Sequence, residues 1–548
     1  MHRRRFLQVA ALAGAALTAC GPPATTVEPT VTTRAGRVRG VHTGGVYAFK
    51  GVPYAAPPRD VHRYLPPRPA EPWSGVRDAV AFGPTPPQLP TPPPLDFFAP
   101  PIPGDEYLNL NIWTPDPGGA RLPVMVWIYG GGFDSGSTEL YDGHAFARDG
   151  IVFVSINYRL GAEGFLCLDD GIANVALLDQ IAALQWVHDN IAAFGGDPDN
   201  VTIFGQSAGA MAVGTLLAMP RARGLFHRAI MQSGAGNFCY DTATAAGIGR
   251  RLAEKLGVAP TRETLAAAGV DRVLQAQAAV MADLARRPDP QRWGGEPGCR
   301  VNMWRPTIDG NTLPTKPIDA VSAGAGRDVD VLIGHNAEEG RLSLLPIRSL
   351  ESVSEAELRT AMRLYRLPVD EAVSAYRRAY PEANPGALLA ILQGDWVYAI
   401  PAIRLAEARA DAPAPTFVYQ FTWRSPQFDG ELGSCHFLEV PFVFDQLHDR
   451  RMQWITGPRP PQRLPGFFFF FFFFFFFFFF FLCPPAPRPP QRLADDMHNT
   501  WVRFATTGRV DWPRYEPRQR TTRRFDVASA VESDPHPTRV LWRGVDLY

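Results

Sequence analysis

The sequence predicts an α/β protein built on one large, mostly parallel central sheet flanked by helices, with long insertions. Three observations carry this. Short β-branched runs bounded by turn residues recur at 123–129, 151–157, 201–204, 229–232, 329–333 and Thr416–Phe421, which is the form of fully buried strands. Between the second and third, residues 174–194 have helical length, with Ile181, Leu184, Val187 and Ile191 three or four apart and Gly195-Gly196 at the end. Strand, helix, strand implies a parallel crossover. Third, single strands keep returning between long mixed segments, with no repeat of roughly 20 to 50 residues. One sheet with insertions is expected, not several domains.

The bulk properties exclude some classes. Lys plus Arg and Asp plus Glu each total 54 in 548 residues, so there is no net charge to draw in nucleic acid. Apolar residues at 46% and charged residues at 20% suit a soluble globular body, and 54 prolines, about twice the usual share, predict stiff loops. The six cysteines, Cys20, Cys167, Cys239, Cys299, Cys435 and Cys483, form no C-x-x-C pair. Neither a zinc site nor a disulfide framework is expected.

The first residues read as an address. Arg3-Arg4-Arg5 precede an apolar stretch over 6–17, too short to span a bilayer but long enough for a secretory signal. Arg3-Arg4-Arg5-Phe6-Leu7 resembles a twin-arginine export signal, and Leu17-Thr18-Ala19-Cys20 resembles a lipobox whose Cys20 is lipidated after cleavage. A signal peptide over 1–19, a disordered tether over 20–34 and a single domain over 35–548 follow, with the product exported, either secreted or lipid-anchored at the cell envelope.

The chemistry concentrates at Gly205-Gln206-Ser207-Ala208-Gly209, which follows the strand 201–204 and precedes a helix-compatible 210–219. Strand, sharp turn and helix are the setting a G-x-S-x-G elbow requires, with small neighbours to avoid collision across the corner. An alcohol is a poor nucleophile at neutral pH, so Ser207 needs a base, and the base needs an orienting acid. Downstream, the strand ending at Gly334 runs into His335-Asn336-Ala337-Glu338-Glu339-Gly340, and His436 lies in a loop ahead of the apolar 440–444. Upstream, a strand ends in Tyr129-Gly130-Gly131-Gly132-Phe133, whose backbone N–H groups, with that of Ala208, form a three-donor hole for an oxyanion at Gly131, Gly132 and Ala208. The loop lacks the Gly-Lys-Ser/Thr ending of a phosphate-binding loop.

The long string from Phe194-Gly195-Gly196-Asp197-Pro198 through Gly205-Gln206-Ser207-Ala208-Gly209 resembles the active-site signature of the type-B carboxylesterase and cholinesterase family. Gly36-Arg37-Val38-Arg39-Gly40, Phe49-Lys50-Gly51-Val52-Pro53, Asn157-Tyr158-Arg159-Leu160-Gly161 and His227-Arg228-Ala229-Ile230-Met231-Gln232-Ser233-Gly234 are similar to further family segments. The resemblance implies the α/β-hydrolase fold and a serine carboxylic-ester hydrolase working through an acyl-enzyme. The family acid is the glutamate before a glycine, which implies Glu339, with Glu338 as fallback. Its histidine stands three residues before a Glu-x-Pro-Phe-x-Phe segment, which implies His436, with His448 the nearest rival. The resemblance also implies that Ser233 hydrogen-bonds the acid. The partner is a small-molecule ester; no metal or organic cofactor is needed.

Two departures bear on specificity. Asp105-Glu106-Tyr107-Leu108-Asn109 puts Tyr107 where the family carries the cysteine of an N-terminal disulfide, and no tryptophan stands between 82 and 104 where choline-specific relatives carry an aromatic cation site. Two other readings share the fold: a lipase for longer acyl chains and a non-catalytic adhesion protein. Finally, an unbroken phenylalanine tract over 467–481 is flanked by Pro458-Arg459-Pro460-Pro461-Gln462-Arg463-Leu464 and its word-for-word copy at 487–493. Removing 465–493 rejoins a continuous sequence, so the segment reads as a functionless insert.

Overall fold

A computed structural model gives the architecture, and the structure describes residues 28–90, 101–286, 303–345, 349–457 and 489–547. The signal peptide, Cys20 and the phenylalanine tract lie outside them. Eleven strands form the main sheet. From one edge they run Ala530–Ser533, Thr521–Phe525, Thr416–Phe421, Asp330–Asn336, Arg228–Gln232 and Gly196–Gln206, then Leu122–Ile128, Val152–Ile156, Asn109–Thr114, Val46–Pro53 and Val41–Thr43. All six runs expected from composition are strands of this sheet. Arg228–Gln232 pairs in parallel with both neighbours, and so does Leu122–Ile128, while the outer strands at both edges pair antiparallel.

The central strands are apolar on both sides because helices cover both faces. Val124, Met125, Val126, Trp127 and Ile128 are all fully buried. The expected helix is Val175–Asn190, continued by a 3₁₀ turn at Ile191–Phe194 and ended by Gly195 in the left-handed region. On one face Trp127, Phe146 and Phe153 pack edge-on against Phe444 from the segment after His436, and Phe204 stacks on it. That cluster ties the segment carrying the imidazole to the strand carrying the elbow.

One charged pair is fully enclosed. The guanidinium of Arg159 donates to both oxygens of Asp179, at 2.8 and 2.6 Å, and to the carbonyls of His62, Arg63 and Leu65. Every charge-bearing atom is thereby satisfied, which is the condition under which an ion pair tolerates burial.

The tether expected over 20–34 is corrected in its described part, which is ordered chain. Thr30–Thr32 is a strand, paired antiparallel with Arg37–Arg39 in a small separate sheet, with Val31 buried. Alternation of threonine and valine, rather than proline content, decides this stretch. The described cysteines Cys167, Cys239 and Cys435 are all buried. Among the described residues one helix is long and apolar enough to cross a membrane, Pro385–Ala408, and its apolar stretch is 89% buried inside the fold, as in a core helix.

Candidate active site

Ser207 sits at the end of Gly196–Gln206 and begins the helix Ala208–Ala218, with φ 58° and ψ −127°. Few side-chain-bearing residues adopt such a backbone, and strain of this kind marks elbows that thrust a side chain out of a sheet. The flanking glycines are sterically required. A Cβ on Gly209 would overlap the carbonyl oxygen of Ile128, and one on Gly205 would stand 2.6 Å from the same oxygen. The Ser207 N–H donates to Gln232 O at 2.9 Å, which fixes the corner against the next strand.

Glu339 and His436, the acid and base expected from the sequence, meet beside this corner. His436 Nδ1 lies 2.5 Å from Glu339 Oε2, with the carboxylate 1% and the imidazole 15% exposed. The main chain helps hold the pair together, because the His436 N–H donates to Glu339 O at 3.2 Å. Glu339 is itself held from behind, its Oε1 accepting from the Asn336 N–H at 2.7 Å. Nδ1 therefore faces the carboxylate and Nε2 faces the elbow, the orientation a general base needs.

Gly130, Gly131 and Gly132 close the other side. A Cβ on Gly130 would come within 2.9 Å of Ser207 Cβ, so the glycine loop runs directly against the elbow. Gly131 and Gly132 have φ of 108° and 66°, conformations that glycine reaches without cost and other residues do not. Ala208, first in its helix, has an N–H without an intrahelical partner.

The fallbacks are engaged elsewhere. Glu338 pairs with Arg341 at 2.7 Å and with Arg424, and accepts from the Ser434 N–H at 2.9 Å. His448 is exposed. The bond implied for Ser233 is absent among the described residues: its Oγ is buried without a partner, and its backbone, at φ 56°, donates instead to Gly334 O. Asn336 holds Glu339 in its place.

Three contributors have no expectation behind them. Gln206, the variable residue of the pentapeptide, places Nε2 3.0 Å from His436 Nε2. Tyr398 stacks on the imidazole with ring centroids 4.4 Å apart and planes at 21°. Glu439 lies fully buried behind the pair, accepting from Asn336 Nδ2 at 2.7 Å and Gln232 Nε2 at 3.2 Å, while Trp501 Nε1 donates to Gln232. Burial, then the negative charge of Glu339, pushes the Glu439 carboxyl up to about 7. Glu439 belongs to the segment that located His436, so the signal was present; Tyr398 had none. Glu339, His436 and Tyr398 border a cavity of about 850 Å³ whose other walls include Leu342, Leu364, Leu389 and Val397.

A mostly parallel sheet ending in a glycine-flanked serine corner, with an imidazole–carboxylate pair beside it, defines a hydrolase of the α/β-hydrolase class. Residues 27–453 match the carboxylesterase family, and the chain belongs to that family and is a carboxylesterase. It is 34% identical over 522 residues to the para-nitrobenzyl esterase of Bacillus subtilis (strain 168), covering 92% of this chain and 96% of that one. It is 38% identical over 430 residues to the phenmedipham hydrolase of Pseudarthrobacter oxydans, covering 76% and 83%. Among solved structures, a Geobacillus stearothermophilus carboxylesterase superposes with a TM-score of 0.76 at 36% identity, covering 94% of this chain and 99% of that one.

Proposed function

We propose that this carboxylesterase cleaves its esters through an acyl-enzyme on Ser207. His436 takes the Ser207 proton as Oγ attacks the ester carbonyl, Glu339 stabilises the resulting imidazolium, and the N–H groups of Gly131, Gly132 and Ala208 hold the oxyanion. The imidazolium returns its proton to the departing alcohol. Water then repeats the sequence against the acyl-enzyme and releases the carboxylate. The observation that carries this is the 2.5 Å contact between His436 and Glu339 beside the elbow. Ser207→Ala tests it: hydrolysis of p-nitrophenyl acetate falls to background in a folded variant, and retained activity overturns the assignment.

The apolar cavity bordered by His436 supports uncharged esters with a bulky, aromatic-sized group. One relative is named for para-nitrobenzyl esters, which suits that reading. Short- against long-chain p-nitrophenyl esters separate it from a lipase, whose preference rises with acyl length. Export, with Cys20 as a lipid anchor, is proposed from the basic and apolar run ahead of it. Release into the soluble fraction by Cys20→Ser tests the anchor.

A further inference from the structure

A polar side chain on the wall of the apolar cavity is either engaged by the protein or left for what enters. Glu339 accepts from the Asn336 N–H and faces His436, while Glu357 accepts from the Ser354 N–H at 2.8 Å. Ser343 donates to Gly340 O at 2.9 Å and Thr360 to Ala356 O at 2.7 Å. Gln393 lines the same cavity, half-buried, and its amide has no hydrogen-bond partner among the described residues. Its place is set by the helix. Gln393 stands in the last turn of Pro385–Gly394, which runs directly into the π-helical turn Asp395–Ala399. Across such a turn residues five apart share a face, so Gln393 lies on the side that carries Tyr398. Tyr398 stacks on the imidazole of His436, and five residues at about 1.5 Å each put Gln393 roughly 7 Å further along the helix. The helix has little room to slide. A Cβ on Gly394 would stand 3.1 Å from Glu339 Cβ, and one on Gly340 would stand 2.4 Å from Ala390 O. Beneath, Asp395 accepts from Tyr376 at 2.5 Å and Thr538 at 2.8 Å and pairs with His536 at 3.0 Å.

We propose that Gln393 determines specificity: its amide N–H donates to a carbonyl oxygen carried at the far end of the ester's ring-sized apolar group. The proposal rests on the cavity holding that group during turnover. Charge decides the kind of acceptor, because Glu339 and Glu357 on the same walls disfavour a carboxylate there. A site that hydrogen-bonds a substrate group rejects an analogue lacking it, because its own polar group is then left unpaired. Water reaches a half-buried amide, so the preference is that of one neutral hydrogen bond.

The test compares 4-acetylbenzyl acetate with 4-isopropylbenzyl acetate, near-equal in shape and different by one acceptor. Steady-state kinetics of the full-length enzyme give the ratio of their kcat/KM values. In Gln393→Met, which keeps the length and removes the amide, the ratio of acetyl to isopropyl ester is expected to fall roughly three- to tenfold, through KM rather than kcat. A merely structural role would move both esters together, and electronic effects on the leaving alcohol are common to both enzymes and cancel. Gln393→Glu removes the donors on a side chain that stays polar, is expected to lower the ratio too, and serves should Gln393→Met fold poorly. An unchanged or raised ratio in either folded variant overturns the proposal. Leu389→Phe, one turn earlier on the same wall, then separates the two readings. If it lowers turnover of both benzyl esters relative to ethyl acetate, the cavity is in use and Gln393 alone is misassigned. If that balance stays unchanged, the cavity does not hold the bulky group and both readings fall.

Discussion

At Glu339 the carboxylate holds the imidazole by one short contact and is held in turn by a single backbone N–H. Glu339→Gln presents an amide to both and loses the charge that, in the proposed mechanism, steadies the imidazolium. The expected fall in kcat is on the order of 10⁴-fold, by analogy with the loss of a triad carboxylate, with KM little changed. Steady-state kinetics on p-nitrophenyl acetate check this. Glu439 gives a pH signature instead. Its carboxyl titrates near 7 in the fold against an ordinary value of 4.5. The folded state thus keeps a proton that the unfolded chain has released, so this group's contribution is full below about 4.5 and is lost as pH rises toward 7. Glu439→Gln removes that slope. Its melting temperature should gain on wild type as pH rises from about 5 to 7, and a constant difference across that interval would refute the reading.

Among the elements, the π-helical turn stands out because it joins the site to the C-terminal segment through Asp395. His536, Tyr376 and Thr538 together outweigh the burial of Asp395 and hold its carboxyl below the usual range. The sign is the reverse of that at Glu439: the stabilisation is present above the ordinary carboxylate value and is lost as pH falls through the lowered one. Asp395→Asn is expected to melt lower than wild type at neutral pH and to converge with it in acid. A pH series of thermal unfolding decides. The elements also divide by how plainly they are written. Strands such as Leu122–Ile128 are continuous apolar runs, whereas Val46–Pro53 contains Lys50-Gly51 and Asn109–Thr114 contains two asparagines, so neither has a strand's pattern. The reason is structural: Asn111 accepts from the Gly51 N–H and donates to Ser155 Oγ across three strands. Likewise Ser207, Glu339 and His436 each lie in a recognisable local string. Tyr398 reaches the site only through tertiary packing, which leaves no local trace.

For the molecule as a whole, the enclosed pair of Arg159 and Asp179 joins the crossover helix to the 3₁₀ turn Asp60–Tyr64 through the carbonyls that the guanidinium reaches. Asp179→Asn leaves a cation without its counter-charge in the interior. The expected loss of stability is about 3 to 5 kcal/mol, read from the urea midpoint, and a loss under about 1 kcal/mol would show that the carbonyls alone suffice. Tyr107 has a different consequence. At the position where the family resemblance implies a cysteine, its buried phenol donates to Glu163 at 2.7 Å, and Arg63 reaches the same carboxylate at 3.0 Å. This latch is reversible chemistry: it assembles with no oxidant, and a thiol reagent finds nothing there to cleave. Refolding this part of the chain therefore calls for no oxidative step.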